Sequence, residues 1–365
     1  MPSGSLRREI GRLLIAGFDG LQVPVELRAL AREFGLGGVI LFARNVAEPE
    51  QVAELCYEAA RLVPEMPLWV SVDQEGGRVA RLKAPFTEWP PMATLGRSGD
   101  VGLAGRFARA LAAELRAIGI TLDYAPVLDV LTNAKNPVIG DRALAAKAEE
   151  VARLGAAIIV ALQEEGIAAC GKHFPGHGDT SADSHLELPL VEHSPERLRQ
   201  VEFLPFRAAI EARVATIMTA HVLVPALDET RPATLSPRVV TDILRTDLAY
   251  EGVVLSDDLE MKAVANEYKV PEAAVMAIEA GCDGVLVCSG DHDMQAAALE
   301  ALVHAVEGER LRLSRVEDAL KRQQRAKERF LGASQSTRPS HARTLRRVLG
   351  RDEHRAIADE MARFL

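Results

Sequence analysis

A chain of 365 residues that is 48% hydrophobic and 26% charged is long and apolar enough to bury a sizeable core. Its formal net charge of −9 argues against the basic face that nucleic-acid binding needs, and no window approaches the ~18 apolar residues required to cross a bilayer. Length alone allows two or three domains, but α/β barrels run past about 200 residues as one.

Short apolar runs recur along the chain, each ending in polar residues or glycine. They fall at 13–18, 38–42, 68–72, 122–127, 167–171, 216–219, 253–255 and 285–287. Between them lie alanine-rich amphipathic segments, at 49–62, 102–118, 143–165, 195–212 and 271–280, several of them opened by proline. Continuous apolar strands alternating with helices indicate a parallel sheet covered by helices, and eight of them favour a closed (β/α)8 TIM-type barrel. A doubly wound sheet would be expected to show Gly-x-Gly-x-x-Gly after a strand, and none follows any strand here. The expected organisation is a barrel over 1–332, then a polar linker from 333 and a C-terminal helix at about 352–364 packing on the barrel. The arginines at 338, 343, 346, 347 and 351 read as a solvated helix face, because no aromatic residues interleave with them.

Cys56, Cys170, Cys282 and Cys288 form no Cys-x-x-Cys; Cys170 and Cys288 sit in apolar strand-like runs and are expected to be buried free thiols, with no disulfides and a reducing compartment. The N-terminus lacks the long apolar core of a secretory signal, so the expected location is the cytoplasm.

Chemistry in a barrel sits at the C-terminal ends of its strands. Here those ends carry Asp73, Glu75, Arg78 and Arg81; Asp123 and Asp129; Lys172 and His173; His221; and Ser256, Asp257 and Asp258. Any one of these could be a helix cap or a surface ion pair, but structural turns alone would not demand charge at so many strand ends. Residues 172–185 read Lys-His-Phe-Pro-Gly-His-Gly-Asp-Thr-Ser-Ala-Asp-Ser-His, a strand end followed by a loop that its proline and glycines make mobile. A metal site at His173, His177, Asp179, Asp183 and His185 has suitable ligand types. However, the Pro-Gly loop between the first two histidines breaks helical spacing, and no His-x-His or His-Glu-x-x-His occurs. No metal and no cofactor are expected.

The runs Ser-Val-Asp73-Gln-Glu-Gly-Gly-Arg, Gly140-Asp-Arg142, Lys172-His173-Phe-Pro-Gly-His-Gly-Asp-Thr, Asp183-Ser-His185 and Ser256-Asp257-Asp258-Leu resemble glycoside hydrolase family 3. Within it they resemble the single-domain bacterial β-N-acetylglucosaminidases, over about residues 10–330. The resemblance implies a barrel and a retaining two-step hydrolysis. Asp257 would be the nucleophile, His185 the acid/base, and Asp183 the group that fixes the tautomer of His185. It also implies sugar binding by Asp73, Arg81, Arg142, Lys172 and His173. The chemistry suits those roles: a retaining enzyme needs one anionic nucleophile and one proton donor that later serves as base. An imidazole titrates near neutrality and can serve in both directions.

The implied substrate is a muropeptide fragment, GlcNAc linked to 1,6-anhydro-N-acetylmuramic acid, and the implied setting is peptidoglycan recycling. A small sugar is thus the expected partner, with no nucleic acid or membrane, and with the protein a monomer or weak homodimer. Phosphorolysis on the same fold, substrate-assisted attack by the acetamido oxygen, a metal-dependent amidohydrolase and an inactive sugar-binding relative are the competing readings.

Overall fold

The computed structural model describes residues 3–184, 187–332, 339 and 342–365. Eight parallel strands close into one barrel in sequence order. They are β1 (Leu14–Ala16), β2 (Gly38–Leu41), β3 (Trp69–Val72), β4 (Leu122–Asp123), β5 (Ala168–Phe174), β6 (Thr216–Thr219), β7 (Val253–Asp258) and β8 (Gly284–Val287). All eight expected runs became strands. Each is buried on both faces, as a sheet sheathed in helices requires.

The helices needed below are α1 (Pro49–Ala59), α2 (Val101–Ala117), α3 (Ala148–Glu164), α4 (Pro195–Gln200), α5 (Leu204–Glu211), α6 (Lys262–Ala265), α7 (Val270–Ala280), α8 (Leu313–Leu331), α9 (Ala342–Val348) and α10 (Asp352–Ala362). Two expected helices differ. The segment 195–212 is two helices, because Pro205 cannot sit inside a continuous helix and instead occupies the first turn of α5. The segment 143–165 becomes helical only at Ala148. Before that, the Ala145 carbonyl accepts the Leu131 amide at 3.1 Å, which holds the chain extended.

The N-terminal end of the barrel is closed by α8. Phe330 lies against Trp69 at 6.4 Å between ring centres, and the Lys327 ammonium donates to the Gly37 carbonyl at 2.7 Å. The opposite end is open and holds the cavity described below.

The C-terminal helices pack on α2, where Leu345, Leu349, Ala358 and Met361 are buried. Arg343, Arg346 and Arg347 point to solvent. Arg338 and most of the expected linker lie outside the described residues. The tie between α10 and the barrel is polar. Glu114, on the buried face of α2, accepts from His354 Nδ1 at 2.7 Å and from the Gly350 amide at 2.9 Å. It also accepts from the Thr87 amide at 2.9 Å and the Thr87 hydroxyl at 2.7 Å. Burial opposes its ionisation, but these four donors outweigh that and hold the carboxyl below its ordinary value of 4.5. A carboxylate so favoured in the folded state contributes stability that is present above the ordinary value and is lost as the pH falls through the folded one. Glu114→Ala should therefore cost at least about 1–3 kcal/mol at pH 7, because it leaves the buried donors of His354, Gly350 and Thr87 without an acceptor. Urea melts should show the penalty shrinking below pH 4.5, and amide exchange should quicken selectively in 342–365.

Candidate active site

The open end of the barrel encloses a cavity of about 300 Å³. Its wall draws on many strand ends: Phe42 after β2, Asp73 and Glu75 after β3, Lys172 and His173 in β5, Asp257 and Asp258 in β7, and Cys288 after β8. Of the residues expected at the site, Asp73, Arg81, Arg142, Lys172, His173 and Asp257 all line this one cavity. Asp183 is half-buried nearby in sequence, beside Ser184, which lines it. His185 lies outside the described residues.

The loop after β3 is shaped by a glycine pair. Gly77 has φ +57°, and a Cβ there would stand 2.9 Å from the Pro91 backbone. The loop turns back so that Gly76 pairs with Val79. Gln74 staples it, its side-chain carbonyl accepting from the Arg81 and Leu82 amides at 2.8 and 3.0 Å. Beneath it, the Asp123 carboxyl accepts the Gln74 amide at 2.9 Å. Burial pushes Asp123 well above the ordinary carboxylate range, against that hydrogen bond. Asp123 is thus a structural brace; it does not line the cavity.

The charged side chains form a closed lattice. The Lys172 ammonium is 2% exposed, and it lies 2.7 Å from Asp73 and 2.6 Å from Glu75. Arg142 meets Glu75 through Nε at 2.9 Å and Nη2 at 2.8 Å, and donates Nη1 to the Val138 carbonyl at 3.2 Å. Arg81 reaches Asp73 at 3.4 Å. Burial would raise the Glu75 carboxyl, yet Arg142 and Lys172 hold it far below the usual range. Burial would likewise lower Lys172, yet Asp73 and Glu75 hold it above the usual amine range. Arg142 and Lys172, expected as donors to sugar hydroxyls, spend most of their N–H groups inside this lattice. Glu75 was quoted in the Asp73 motif but assigned no role; a buried lysine and arginine with only one carboxylate between them were the signal for it.

Lys172 and His173 are consecutive, and the peptide between them is cis. His173 Nδ1 lies 2.7 Å from Asp129 Oδ2, while Asp129 Oδ1 accepts the amides of His173 and His177 at 3.2 and 2.7 Å. The loop beyond is hydrogen-bonded and closely packed at its start. Asn136 donates to the His177 carbonyl at 2.8 Å, and His177 Nδ1 lies 2.7 Å from the Thr180 hydroxyl. Gly178 sits so close that a Cβ would fall 1.9 Å from the Val130 carbonyl oxygen. Further on, Ser184 is pinned twice: its hydroxyl lies 3.2 Å from His177 Nε2, and its carbonyl accepts the Ala263 amide of α6 at 3.1 Å. Burial lowers His177 to about 4, so it is a neutral ring at pH 7. Among the described residues, no group of three or more His, Cys, Asp or Glu is arranged to hold a metal ion.

The two adjacent carboxyls of β7 are driven apart. Burial would raise Asp257, but His221 and His173, then the Asp258 amide and Lys172, outweigh it and hold it below the ordinary range. The Asp258 amide donates to Asp257 Oδ1 at 2.8 Å. Asp258 is raised to about 7 by burial and by the charges of Glu260 and Asp257. The two neighbours are thus tuned in opposite directions, Asp257 toward the anion and Asp258 toward the protonated form.

Residues 5–326 match the glycosyl hydrolase family 3 N terminal domain. The chain belongs to this family. It is a glycoside hydrolase, similar over most of its length to curated relatives. It is 44% identical over 289 residues to a beta-hexosaminidase of Methylococcus capsulatus, a match covering 77% of this chain and 84% of that one. It is 42% identical over 260 residues to a beta-hexosaminidase of Nitrosomonas eutropha, covering 70% and 74%. Among solved structures, a family 3 β-N-acetylglucosaminidase from a Paenibacillus species superposes with a TM-score of 0.93 at 42% identity, covering 98% of this chain and 68% of that one. NagZ from Neisseria gonorrhoeae superposes with 0.79 at 33% identity, covering 96% and 97%.

The lattice makes unequal demands on its members. Lys172→Met leaves the Asp73 carboxylate without its close cation and should cost about 3–5 kcal/mol. Arg81→Met breaks only the longer, partly solvated contact and should cost less than about 1 kcal/mol. Denaturant midpoints at constant m-value check the contrast.

Proposed function

We propose that this glycoside hydrolase is a retaining exo-β-N-acetylglucosaminidase that works through a covalent glycosyl-aspartate. The observation that carries the reading is that one cavity, about the size of a single sugar, is lined by the ionised Asp257, by the Asp73–Lys172 pair and by Ser184, the residue immediately before His185. The names of the relatives, beta-hexosaminidases and β-N-acetylglucosaminidases, support the sugar class.

In the first step the Asp257 carboxylate attacks the anomeric carbon while His185 gives its proton to the departing glycosidic oxygen. In the second, His185 takes a proton from water, the water oxygen bonds to the anomeric carbon and Asp257 is released. Asp183 holds the His185 ring in the tautomer that can donate, as a carboxylate does for histidine in other catalytic pairs. Asp73 accepts from ring hydroxyls and is aimed by Lys172 and Arg81. His173, whose Nδ1 is engaged by Asp129, offers Nε2, and Arg142 braces the lattice at its edge. The substrate is a GlcNAc-bearing muropeptide fragment processed in peptidoglycan recycling, in the cytoplasm, by a monomer or weak homodimer. No helix among the described residues is long and apolar enough to cross a membrane, in keeping with that setting.

A nitrophenyl β-N-acetylglucosaminide should be hydrolysed with release of the β-sugar, and Asp257→Ala should lose at least about 10³-fold in kcat/KM. Mass spectrometry after an activated 2-fluoro glycoside should locate the adduct on Asp257; an adduct on another residue would refute the assignment. His185→Ala should lose little with a dinitrophenyl leaving group and about 10²-fold or more with a sugar leaving group, because only the latter needs a proton. A sugar 1-phosphate as the main product in phosphate buffer would make the protein a phosphorylase instead.

A further inference from the structure

The loop after β6 places a buried imidazole against the strand that carries Asp257. His221 is fully buried, and both ring nitrogens are engaged. Nε2 lies 2.9 Å from the backbone carbonyl of Asp258. A carbonyl oxygen only accepts, so Nε2 carries a proton and donates it there. Nδ1 lies 2.8 Å from the Thr234 hydroxyl. Thr234 is itself braced, 3.0 Å from the Ala220 carbonyl and 2.9 Å from the Thr219 hydroxyl at the end of β6. The ring is therefore gripped from behind by the β6 end and the turn at Ala233–Leu235, and it grips the end of β7.

What it grips matters. The carbonyl of Asp258 belongs to the same residue whose amide donates to Asp257 Oδ1 at 2.8 Å. At this point β7 departs from regular pairing, with a register shift against β8 between Leu255 and Asp258. The ladder resumes at Asp258, which pairs with Leu286, and the Leu259 amide donates to the Leu286 carbonyl at 3.1 Å, so the His221 hydrogen bond is a second hold on the peptide that carries the Asp258 carbonyl, just past the irregular stretch. The Asp258 side chain is held on the other side, its Oδ1 accepting the Glu260 amide at 3.1 Å.

We propose that His221 is a positioning residue for the Asp257 carboxylate: it clamps the Asp258 carbonyl, and the Asp258 amide in turn fixes the rotation of the attacking carboxylate toward the anomeric carbon. The inference rests on the nucleophile role given to Asp257 above. His221 does not line the cavity, so the effect proposed here reaches the sugar through Asp257.

The test compares His221→Phe, which keeps the ring volume without a donor, with His221→Gln, whose amide nitrogen can occupy the place of Nε2. Three quantities are read: kcat/KM on a nitrophenyl β-N-acetylglucosaminide, the dissociation constant of N-acetylglucosamine and the melting temperature. His221→Phe should lose about 10²-fold in kcat/KM, as misplacement of a reacting group does, with N-acetylglucosamine affinity within about threefold of wild type. His221→Gln should recover at least about tenfold of that loss. If His221→Phe does not fold, Thr234→Val, which removes the brace on Nδ1 at constant shape, should give a loss of about tenfold with sugar affinity unchanged. The inference is overturned if the Phe variant (or, in its place, Thr234→Val) keeps wild-type kcat/KM. It is also overturned if sugar affinity falls in step with kcat/KM, or if Gln rescues nothing in a protein that melts like the wild type. Asp257→Ala run alongside separates the two failures: full activity in that variant sinks the nucleophile assignment itself, whatever His221 does.

Discussion

One ammonium group, that of Lys172, holds the mouth of the barrel together. It is almost completely withdrawn from water and bridges two carboxylates, Asp73 and Glu75. An isolated charge buried to that degree would be expelled or neutralised. It is tolerated because Asp73 and Glu75, set against Lys172 and Arg142, give two anions and two cations, a buried core without net charge, to which Arg81 adds a longer, partly solvated contact at the rim. Moving any one of the four leaves a buried charge behind. The loop after β3, the strand end of β5 and the turn at Gly140–Arg142 are thereby locked to each other without a ligand.

That closure shapes what the site can recognise. Arg142 spends its fork on Glu75, so it contributes rigidity more than free hydrogen bonds. Asp73 is the member whose contacts run partly toward the opening, where Arg81 also meets it at 3.4 Å. A neutral polar ligand that brings hydroxyl donors fits a neutral lattice with an acceptor at its surface. Asp257, on the strand two places round the barrel from β5, is held as an anion by His221, His173 and Lys172, whose positive or polar groups surround it. In the proposed mechanism recognition and attack are carried by separate carboxylates, Asp73 and Asp257, each tuned by different neighbours.

Much of the fold was legible because its strands are continuous apolar runs, and β3, β6 and β8 match the expected segments within a residue. The site carboxylates were legible because charge at a strand end is costly without a purpose, as at Asp73 and Asp257. Other features were hidden for definite reasons. Glu114 sits on the apolar face of an alanine-rich helix, where only its spacing from Leu111 marked it as buried; one of its partners, His354 in α10, comes from 240 residues away. His221 and Asp129 act through hydrogen bonds to backbone groups, which leave no motif. The glycines of the loop at Pro175 also serve packing, which their sequence does not reveal: Gly178 sits directly on the Val130 carbonyl. Pro205 did announce the break between α4 and α5, and the helical period around it masked the signal.

In the proposed mechanism a lattice built on Lys172 aims Asp73 at the sugar while Asp257 faces its anomeric carbon. A crystal structure with N-acetylglucosamine bound is the sharpest check. Asp73 should lie within hydrogen-bond distance of two adjacent ring hydroxyls, with the Asp257 carboxylate under C1 and Lys172 still bridging Asp73 and Glu75. A sugar seated with C1 turned away from Asp257, or a Lys172 that abandons Glu75 to bind it, would refute that mechanism.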